Sequence, residues 1–266
     1  MILDEIAEKT RIRISEKKKQ VPLSEICRVA QKRTAVEKGA NGGFTFPFEK
    51  AIGSGGISFI CEVKKASPSK GVISEDFSYL QIAKEYENAG ADALSVLTEP
   101  YYFQGNDRYL QEIAKEARIP ILRKDFTVDP YMIYEAKLMG ASAVLLICAL
   151  LSDEELKNDI KISHGLGLSA LVEAHDEKEV YRAIACGARI VGVNNRDLNT
   201  FQVDLSTSVR LRSLVPKSVL FVSESGIANP SDIKKLKENK TNAVLIGETM
   251  MRSQDKKSLI KDLREV

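Results

Sequence analysis

Three junctions of the form Gly-Ala-x-x-apolar constrain the fold of this 266-residue chain more than any other feature. They read GADAL at 90–94, GASAV at 140–144 and GARIV at 187–191, and at each one a helical pattern stops and an apolar run begins. Similar runs alternate with amphipathic stretches from about residue 57 onward. The predicted strands are Phe59–Lys65, Ala93–Thr98, Ile121–Phe126, Ala143–Ala149, Ala170–Ala174, Ile190–Asn195, Val219–Ser223 and Ala243–Gly247. The predicted helices are Leu80–Ala89, Asp107–Ala117, Pro130–Met139, Asp153–Ser163, Glu177–Cys186, Leu205–Leu214, Pro230–Asn239 and Lys256–Val266.

Uninterrupted apolar strands indicate a sheet that is covered on both faces. The runs AVLLICAL at 143–150 and AVLIG at 243–247 show this pattern, which is typical of parallel sheets. Eight strand–helix units predict an α/β fold, a closed (β/α)8 TIM barrel with an N-terminal helical extension. The structural alternative is a doubly wound open sheet. That fold would normally carry GxGxxG after its first strand, where this chain has CEVKKASPSKG.

The first 50 residues are predicted to form a helical extension of the same domain, and residues 51–266 the catalytic barrel. Leu3–Lys19 and Val21–Lys38 read as two basic helices, and a loop at Gly39–Gly43 then leads to the aromatic segment FTFPF. Two interpretations of the extension stay open. It packs on the barrel as a structural cap, which we favour, or it also helps to cover a substrate.

The composition excludes several partners. Lys plus Arg number 39 and Asp plus Glu number 37, so the formal net charge of +2 predicts neither a nucleic-acid nor a membrane partner. The charged N-terminus lacks the apolar core of a secretory signal, and no apolar run is long enough to span a membrane. The four cysteines show no metal-like spacing, and the two histidines are isolated. We therefore expect a cytoplasmic protein without a metal.

Charged side chains at the strand ends point to chemistry, because the active site of such a barrel lies at the carboxyl ends of its strands. Glu62 and Lys64 lie two residues apart and therefore share one face of the first strand, and Lys124 lies on the third strand. Later strands end in further polar residues: Glu173, Asn194, Asn195, Arg196, Asp197, Ser225 and Glu248. Alternation predicts outer-face or ion-pair positions for Lys65, Arg123, Asp125 and Glu224. A structural ion-pair network explains one or two such charges, whereas four converging strands favour an acid–base site.

Glycines after the last two strands suggest a separate phosphate site. Gly226 follows the seventh strand and Gly247 the eighth, which are the positions where barrels often bind phosphate through backbone N–H groups. Ser67, after the first strand, could add a hydroxyl group. Either glycine alone would indicate only a turn, but the two together favour phosphate binding.

Seven segments in chain order resemble one known family, indole-3-glycerol-phosphate synthase. They are EVKKASPSKG, LSVLTEPYYFQG, ILRKDFTVDPYMIYEAKLMGASAVLLI, LVEAHD, VGVNNRDLNTF, VSESGI and IGETMMR, and they extend over all eight predicted strands. In the extension, ILDEI and FPFEKAI also resemble the family, whereas GGFT is less typical.

The resemblance implies ring closure of 1-(2-carboxyphenylamino)-1-deoxyribulose 5-phosphate with loss of carbon dioxide and water, without a cofactor or metal. It implies that Lys124 is the general acid and that Lys64 contacts the substrate carboxylate and takes part in dehydration. Glu173 would stabilise a cationic intermediate or act as its acid–base partner, and Glu62 would be a further base or orienting group. Which of these two carboxylates is the principal base stays open.

The resemblance also implies the rest of the site. Residues expected to hold substrate hydroxyls and orient the lysines are Asn194, Arg196 and Ser225. Residues expected to line the aromatic pocket are Phe103 and Leu145. Residues expected to hold the phosphate are Ser67, Gly226, Gly247 and, through its backbone N–H, Glu248.

Two other classes of function remain as alternatives. One is a different phosphate-binding barrel, such as phosphoribosylanthranilate isomerase or the α subunit of tryptophan synthase, but those families lack the Glu-x-Lys pair followed by SPSKG. The other is a non-catalytic barrel that binds a phosphorylated metabolite, which should have lost Lys124 or Glu173. The expected partner is a small phosphorylated substrate, and we expect a monomer while leaving a homodimer open.

Overall fold

The predicted barrel is confirmed. The computed structural model describes residues 2–38, 43–197 and 200–266. Its barrel strands are β1 (Ser58–Val63), β2 (Ala93–Leu97), β3 (Ile121–Lys124), β4 (Ala143–Ile147), β5 (Ser169–Ala174), β6 (Ile190–Asn194), β7 (Leu220–Glu224) and β8 (Ala243–Ile246). Each strand pairs in parallel with its sequence neighbours, and β1 also pairs with β8, which closes the sheet. A closed sheet has no exposed edge, and its carboxyl ends all open at one mouth.

Helices surround this barrel and precede it. Those of the N-terminal extension are α1 (Ile2–Gln20), α2 (Leu23–Glu37) and α3 (Pro47–Ile52). Those that follow strands are α4 (Tyr79–Ala89), α5 (Asp107–Glu116), α6 (Tyr131–Met139), α7 (Asp153–Gly165), α8 (Glu177–Ala185), α9 (Ser206–Arg212), α10 (Pro230–Glu238), α11 (Glu248–Arg252) and α12 (Lys256–Arg264). Within the described ranges, no helix is long and apolar enough to cross a membrane.

Local signals at the helix ends act as predicted. Ser152 and Glu155 form a reciprocal capping box at the start of α7. Gly90 and Gly140 end α4 and α6 with φ angles of 96° and 92°, a left-handed conformation that glycine adopts without a steric penalty. Pro130, expected as the first residue of α6, instead precedes it as the N-cap.

Four short elements were not predicted, because none is long enough to show a period. They are α3, α11, a hairpin that joins Ala66–Ser67 to Gly71–Val72, and a 3₁₀ turn at Cys148–Leu150. The loop expected at Gly39–Gly43 lies outside the described residues except for Gly43. The expected division at residue 50 falls within α3, whose Phe48 and Ile52 are buried in the core of the barrel.

Two layers of apolar side chains form the core. Alternate strand residues such as Ile60, Leu122 and Val222 point into the barrel, whereas their neighbours pack under the surrounding helices. Each fully buried aliphatic side chain contributes about 1.5–3 kcal/mol. Towards the mouth, the inward positions two residues further along these three strands are occupied by Glu62, Lys124 and Glu224. The inner layer therefore anchors the strands directly below a layer of charge.

Candidate active site

Lys124, at the end of β3, is the centre of the charged layer. Its Nζ lies 3.3 Å from Oε2 of Glu173 on β5 and 3.5 Å from Oε2 of Glu224 on β7. Burial by itself would lower the pKa of this lysine. The carboxyl groups of Glu173, Glu224 and Glu62 outweigh burial and raise the pKa above its ordinary value. Lys124 is therefore a charged ammonium group held between carboxyl groups.

A second ion pair lies beside it on β1. Lys64 Nζ is 2.7 Å from Oε1 of Glu62, and Ser95 Oγ donates to Oε2 of Glu62 at 3.4 Å. Burial would raise the pKa of Glu62, but Lys64 and Lys124 outweigh it and lower the pKa. The two residues share a face as their spacing predicts, and that face is the interior of the barrel.

The pKa values of the two carboxyl groups next to Lys124 are shifted in opposite directions. Burial opposes the charge on both. In Glu173 the ammonium of Lys124, the imidazole of His175 and the amide of Asn194 outweigh burial, so its pKa is lowered. In Glu224 only Lys124 opposes burial, while Glu173 and Glu62 repel a further negative charge, so its pKa is raised. Environments that push the pKa values of neighbouring acids apart provide an ionised group and a proton donor in one site.

Alternation predicted an outer-face or ion-pair position for Glu224. The outer-face alternative is wrong, whereas the ion pair is present, with Lys124. Val222 points into the barrel, so Glu224, two residues on, does as well. Ser225 also reaches the cavity, because its φ of 69° turns the chain inward after β7. Glu224 is therefore a site residue that sequence reasoning missed.

Arg123, on the opposite face of β3, and Asp125, directly after the strand, take part in an ion-pair network. Arg123 Nη2 is 3.0 Å from Asp107 and 2.8 Å from Glu135. Asp125 binds Arg13 of α1 through contacts of 2.8 and 2.9 Å. This network connects the back of the strand that carries Lys124 to the N-terminal extension.

One cavity at the mouth brings the predicted groups together. Predicted residues that line it are Glu62, Lys64, Ser67, Phe103, Lys124, Leu145, Glu173, Asn194, Arg196, Ser225 and Glu248. The phenyl ring of Phe103 lies 5.9 Å from that of Phe126, which together with Leu145 forms an apolar wall. The backbone N–H of Arg196 donates to Asn194 Oδ1, and its guanidinium donates to the carbonyl oxygen of Phe201.

The other residues that were predicted to hold the phosphate line an adjoining depression. Gly226, with φ of 83°, Gly247 and Glu248 lie there beside the Glu62–Lys64 pair. Gly247 has a second role that the sequence did not indicate. A Cβ at this position would lie 2.6 Å from Glu62 Oε1 and 2.8 Å from Lys64 Nζ, so the missing side chain makes room for that ion pair.

Helix α1 covers the mouth of the barrel. Ile2, Leu3 and Ile6 line the same cavity as the charged groups, and Arg13 fixes the helix to Asp125. The extension is thus a packed cap, and its first turns also form part of the cavity wall. The packing of the extension agrees with the first interpretation left open by the sequence, and its role in covering a substrate stays a prediction.

His175 also escaped the sequence reasoning, because an isolated histidine carries no spacing signal. It follows β5, and its imidazole lies between the carboxyl groups of Glu173 and Glu179. Among the described residues, no group of three or more His, Cys, Asp or Glu side chains is arranged to hold a metal ion.

Lysines set among carboxyl groups at the carboxyl end of a parallel barrel define a TIM-barrel enzyme of the general acid–base class. The chain belongs to the indole-3-glycerol phosphate synthase family, whose model matches residues 3–263. It is 58% identical over 264 residues to the indole-3-glycerol phosphate synthase of Ruminiclostridium cellulolyticum, with 99% of each chain covered. It is 51% identical over 265 residues to that of Endomicrobium trichonymphae, with 100% of each covered.

A solved structure supports the fold alone. A mutant tryptophan synthase α subunit from Pyrococcus furiosus aligns with a TM-score of 0.60 at 13% identity, and the alignment covers 79% of this chain and 98% of that one. At this identity the likeness concerns the architecture and not the reaction.

Proposed function

We propose that this protein is a carboxy-lyase of tryptophan biosynthesis that closes the indole ring of 1-(2-carboxyphenylamino)-1-deoxyribulose 5-phosphate. The products are indole-3-glycerol phosphate, carbon dioxide and water. The membership of the whole chain in the family supports this reaction. The observation that carries it is the position of Lys124 between two carboxyl groups, with a second lysine, Lys64, in the same cavity.

The acid–base end of the cavity acts on the aromatic part of the substrate. Lys124 protonates the carbonyl oxygen as the new carbon–carbon bond forms, because an ammonium group stabilises negative charge that develops there. Lys64 binds the substrate carboxylate and takes part in the dehydration. Glu173, held ionised, stabilises the cationic intermediate, and Glu62 orients Lys64. Glu224, whose pKa is raised by burial and by the charges of Glu173 and Glu62, is a further proton donor.

The other end of the cavity holds the sugar phosphate. Asn194, Arg196 and Ser225 bind the hydroxyls. Phe103 and Leu145 pack against the aromatic ring. The phosphate is held by Ser67, Gly226, Gly247 and the backbone N–H of Glu248. The position of the phosphate is supported by the geometry, since the glycine loops adjoin the lysine cavity on the side of Lys64.

The reaction requires no redox cofactor, because the ring closes with loss of only carbon dioxide and water and no net electron transfer. We place the protein in a reducing cytoplasm, which the four free cysteines support. We also propose that it is a monomer. Light scattering of the purified protein tests this, and a stable mass of twice 29.5 kDa would contradict it.

The decisive experiment is turnover of the carboxyphenylamino substrate, followed by indole fluorescence. Folded wild-type protein should produce the signal. Lys124→Ala should lose most of kcat, by about 10²–10⁴-fold, because a general acid is removed. Absence of product with folded wild-type protein would refute the reaction, and wild-type turnover by Lys124→Ala would refute the role of Lys124.

Two substitutions at one position test the phosphate contact. Inorganic phosphate should raise the Tm of the wild type, because it binds the native state. Glu248→Pro removes the backbone N–H at the first position of α11, where proline is tolerated, and should abolish this protection. The matched control, Glu248→Ala, keeps the N–H and should stay protected. Equal protection of both variants would place the phosphate elsewhere.

A further inference from the structure

The imidazole of His175 bridges two carboxyl groups beside the cavity. Nδ1 lies 3.0 Å from Oε2 of Glu179 on α8, and Nε2 lies 3.3 Å from Oε1 of Glu173. Oε2 of Glu179 also accepts the backbone N–H of His175 at 2.8 Å, which fixes the base of the side chain. Among the described residues Nε2 makes no hydrogen bond of good geometry, and its contact with Glu173 becomes an ion pair when the ring is protonated.

The two neighbouring carboxyl groups determine the charge of the ring. Oε2 of Glu179 and Oε1 of Glu173 lie 3.0 and 3.3 Å from the two ring nitrogens, and negative charges this close stabilise the imidazolium form. The pKa of His175 agrees, because Glu173 and Glu179 outweigh burial and raise it to about 10.

The bridge explains why the pKa values of Glu173 and Glu224, the two acids beside Lys124, are shifted in opposite directions. Glu173 faces cations on two sides, Lys124 at 3.3 Å and His175 at 3.3 Å, and Asn194 Nδ2 lies 3.4 Å away. Glu224 faces Lys124 at 3.5 Å, and its buried Oε1 has no hydrogen-bond partner among the described residues. One additional positive charge, on the side of Glu173, therefore moves the pKa values of the two carboxyl groups apart.

We propose that His175 is a positioning residue: anchored by Glu179, it keeps Glu173 ionised and oriented, so that the proton shared around Lys124 resides on Glu224. This inference deepens the proposed function and depends on it. His175 need not touch the substrate, because it acts through Glu173.

Other elements that pack around His175 bring few charges close to it. The depression it lines is bordered by Leu3 of α1 and Ala149 of the 3₁₀ turn, and across it by Asn194 and Asn195 of the β6 end. The charged residues that line this depression besides Glu179 are Arg196, Asp197 and Asp204. Glu173 and Glu179 are the carboxyl groups in ion-pair contact with the ring, so their charges dominate its protonation.

The first test compares pH–rate profiles of His175→Gln and wild type. Gln keeps a neutral N–H donor but removes the charge, so the pKa of Glu173 should rise. The acid limb of the kcat profile should therefore move up by about one pH unit. We expect the plateau kcat to fall about tenfold and KM to stay within about twofold, because Glu173 acts in the chemical step. Glu179→Gln, which keeps the acceptor for the backbone N–H, should shift the limb in the same direction but less.

The matched control is His164→Gln, the same substitution at the chain's other histidine. His164 packs against Phe46 at the end of α7, and this change should leave the profile unmoved. A folded His175→Gln protein whose profile superimposes on that of the wild type would overturn the proposal.

A second readout does not require turnover. With His164→Gln, His175 is the single histidine, so its ¹⁵N imidazole resonances need no further assignment. Imidazolium shifts that persist above pH 8 support the bridge, and a neutral tautomer at pH 7 refutes it. If the wild type lacks the proposed activity, this spectrum still decides the protonation state of His175, so the two failures are distinguishable.

Discussion

Gly192 on β6 is the residue that makes room for Glu224 inside the barrel. It occupies an inward position between Ile190 and Asn194, where a side chain would normally project into the core. A Cβ built there would lie 2.2 Å from Oε1 of Glu224 and 3.1 Å from Cδ1 of Leu171. We predict that Gly192→Ala displaces the Glu224 carboxyl group while leaving the fold intact.

The size of the effect follows from these distances. Ordinary carbon–oxygen contact begins at 3.4 Å, so the carboxyl oxygen must withdraw by about 1.2 Å. Overpacking of this kind costs about 1–3 kcal/mol of unfolding free energy. A misplacement of about 1 Å in a catalytic group lowers the rate by about 10²-fold. Because Glu224 pairs with Lys124 at 3.5 Å, we expect the loss mainly in kcat.

Initial rates of indole formation measure this loss, and urea denaturation measures the unfolding free energy. Gly165→Ala is the matched control, because a Cβ there has no atom within 4 Å. The double variant Gly192→Ala with Glu224→Asp should regain part of the lost activity, since the shorter acid relieves the contact. Wild-type kcat in Gly192→Ala, or equal losses in the control, would refute the reasoning.

Two further predictions concern stability and the cap. Asp159 is buried on α7, and burial together with Glu155 raises its pKa to about 7. The folded state therefore holds a proton that the unfolded state releases near pH 4, and this residue makes stability fall as pH rises from 4 to 7. At pH 8, Asp159→Asn should exceed the wild type in unfolding free energy by about 1–2 kcal/mol and show a higher Tm, with no advantage at pH 4. An advantage that does not change with pH would contradict this. Arg13→Ala removes the contacts that Nη2 of Arg13 in α1 makes with both carboxyl oxygens of Asp125. It should raise KM several-fold with little change in kcat and increase hydrogen exchange in α1, and unchanged exchange would show that Arg13 does not hold the cap.

The layout of the barrel was predictable because its signals are local. Gly90 and Gly140 end helices through a left-handed φ angle, and Ser152 caps α7 with its own neighbours. These features depend on a few consecutive residues, so they can be recognised without knowing the fold. Helix α3, with six residues, is shorter than two helical turns and shows no comparable pattern.

The site was predictable only in part. The Glu62–Lys64 pair follows from spacing, since residues two apart share a face. The same rule could not decide the direction of Glu224, because a barrel strand is apolar on both faces and alternation alone does not say which set points inward. The bridge of His175 depends on where α8 packs against the end of β5, and Gly192 serves a side chain 32 positions away.

The sequence by itself determined the eight strand–helix units, their order and the cavity-lining residues with a recognisable spacing or motif. Tertiary structure alone decided which carboxyl groups face Lys124, in which direction the pKa of each is shifted, and how α1 closes the mouth. The physical reason is the separation along the chain over which each kind of interaction acts. Hydrogen bonding within a helix end and alternation along a strand are properties of neighbouring residues. Burial and charge at a buried site depend on groups that only the closed barrel brings within a few ångströms of each other.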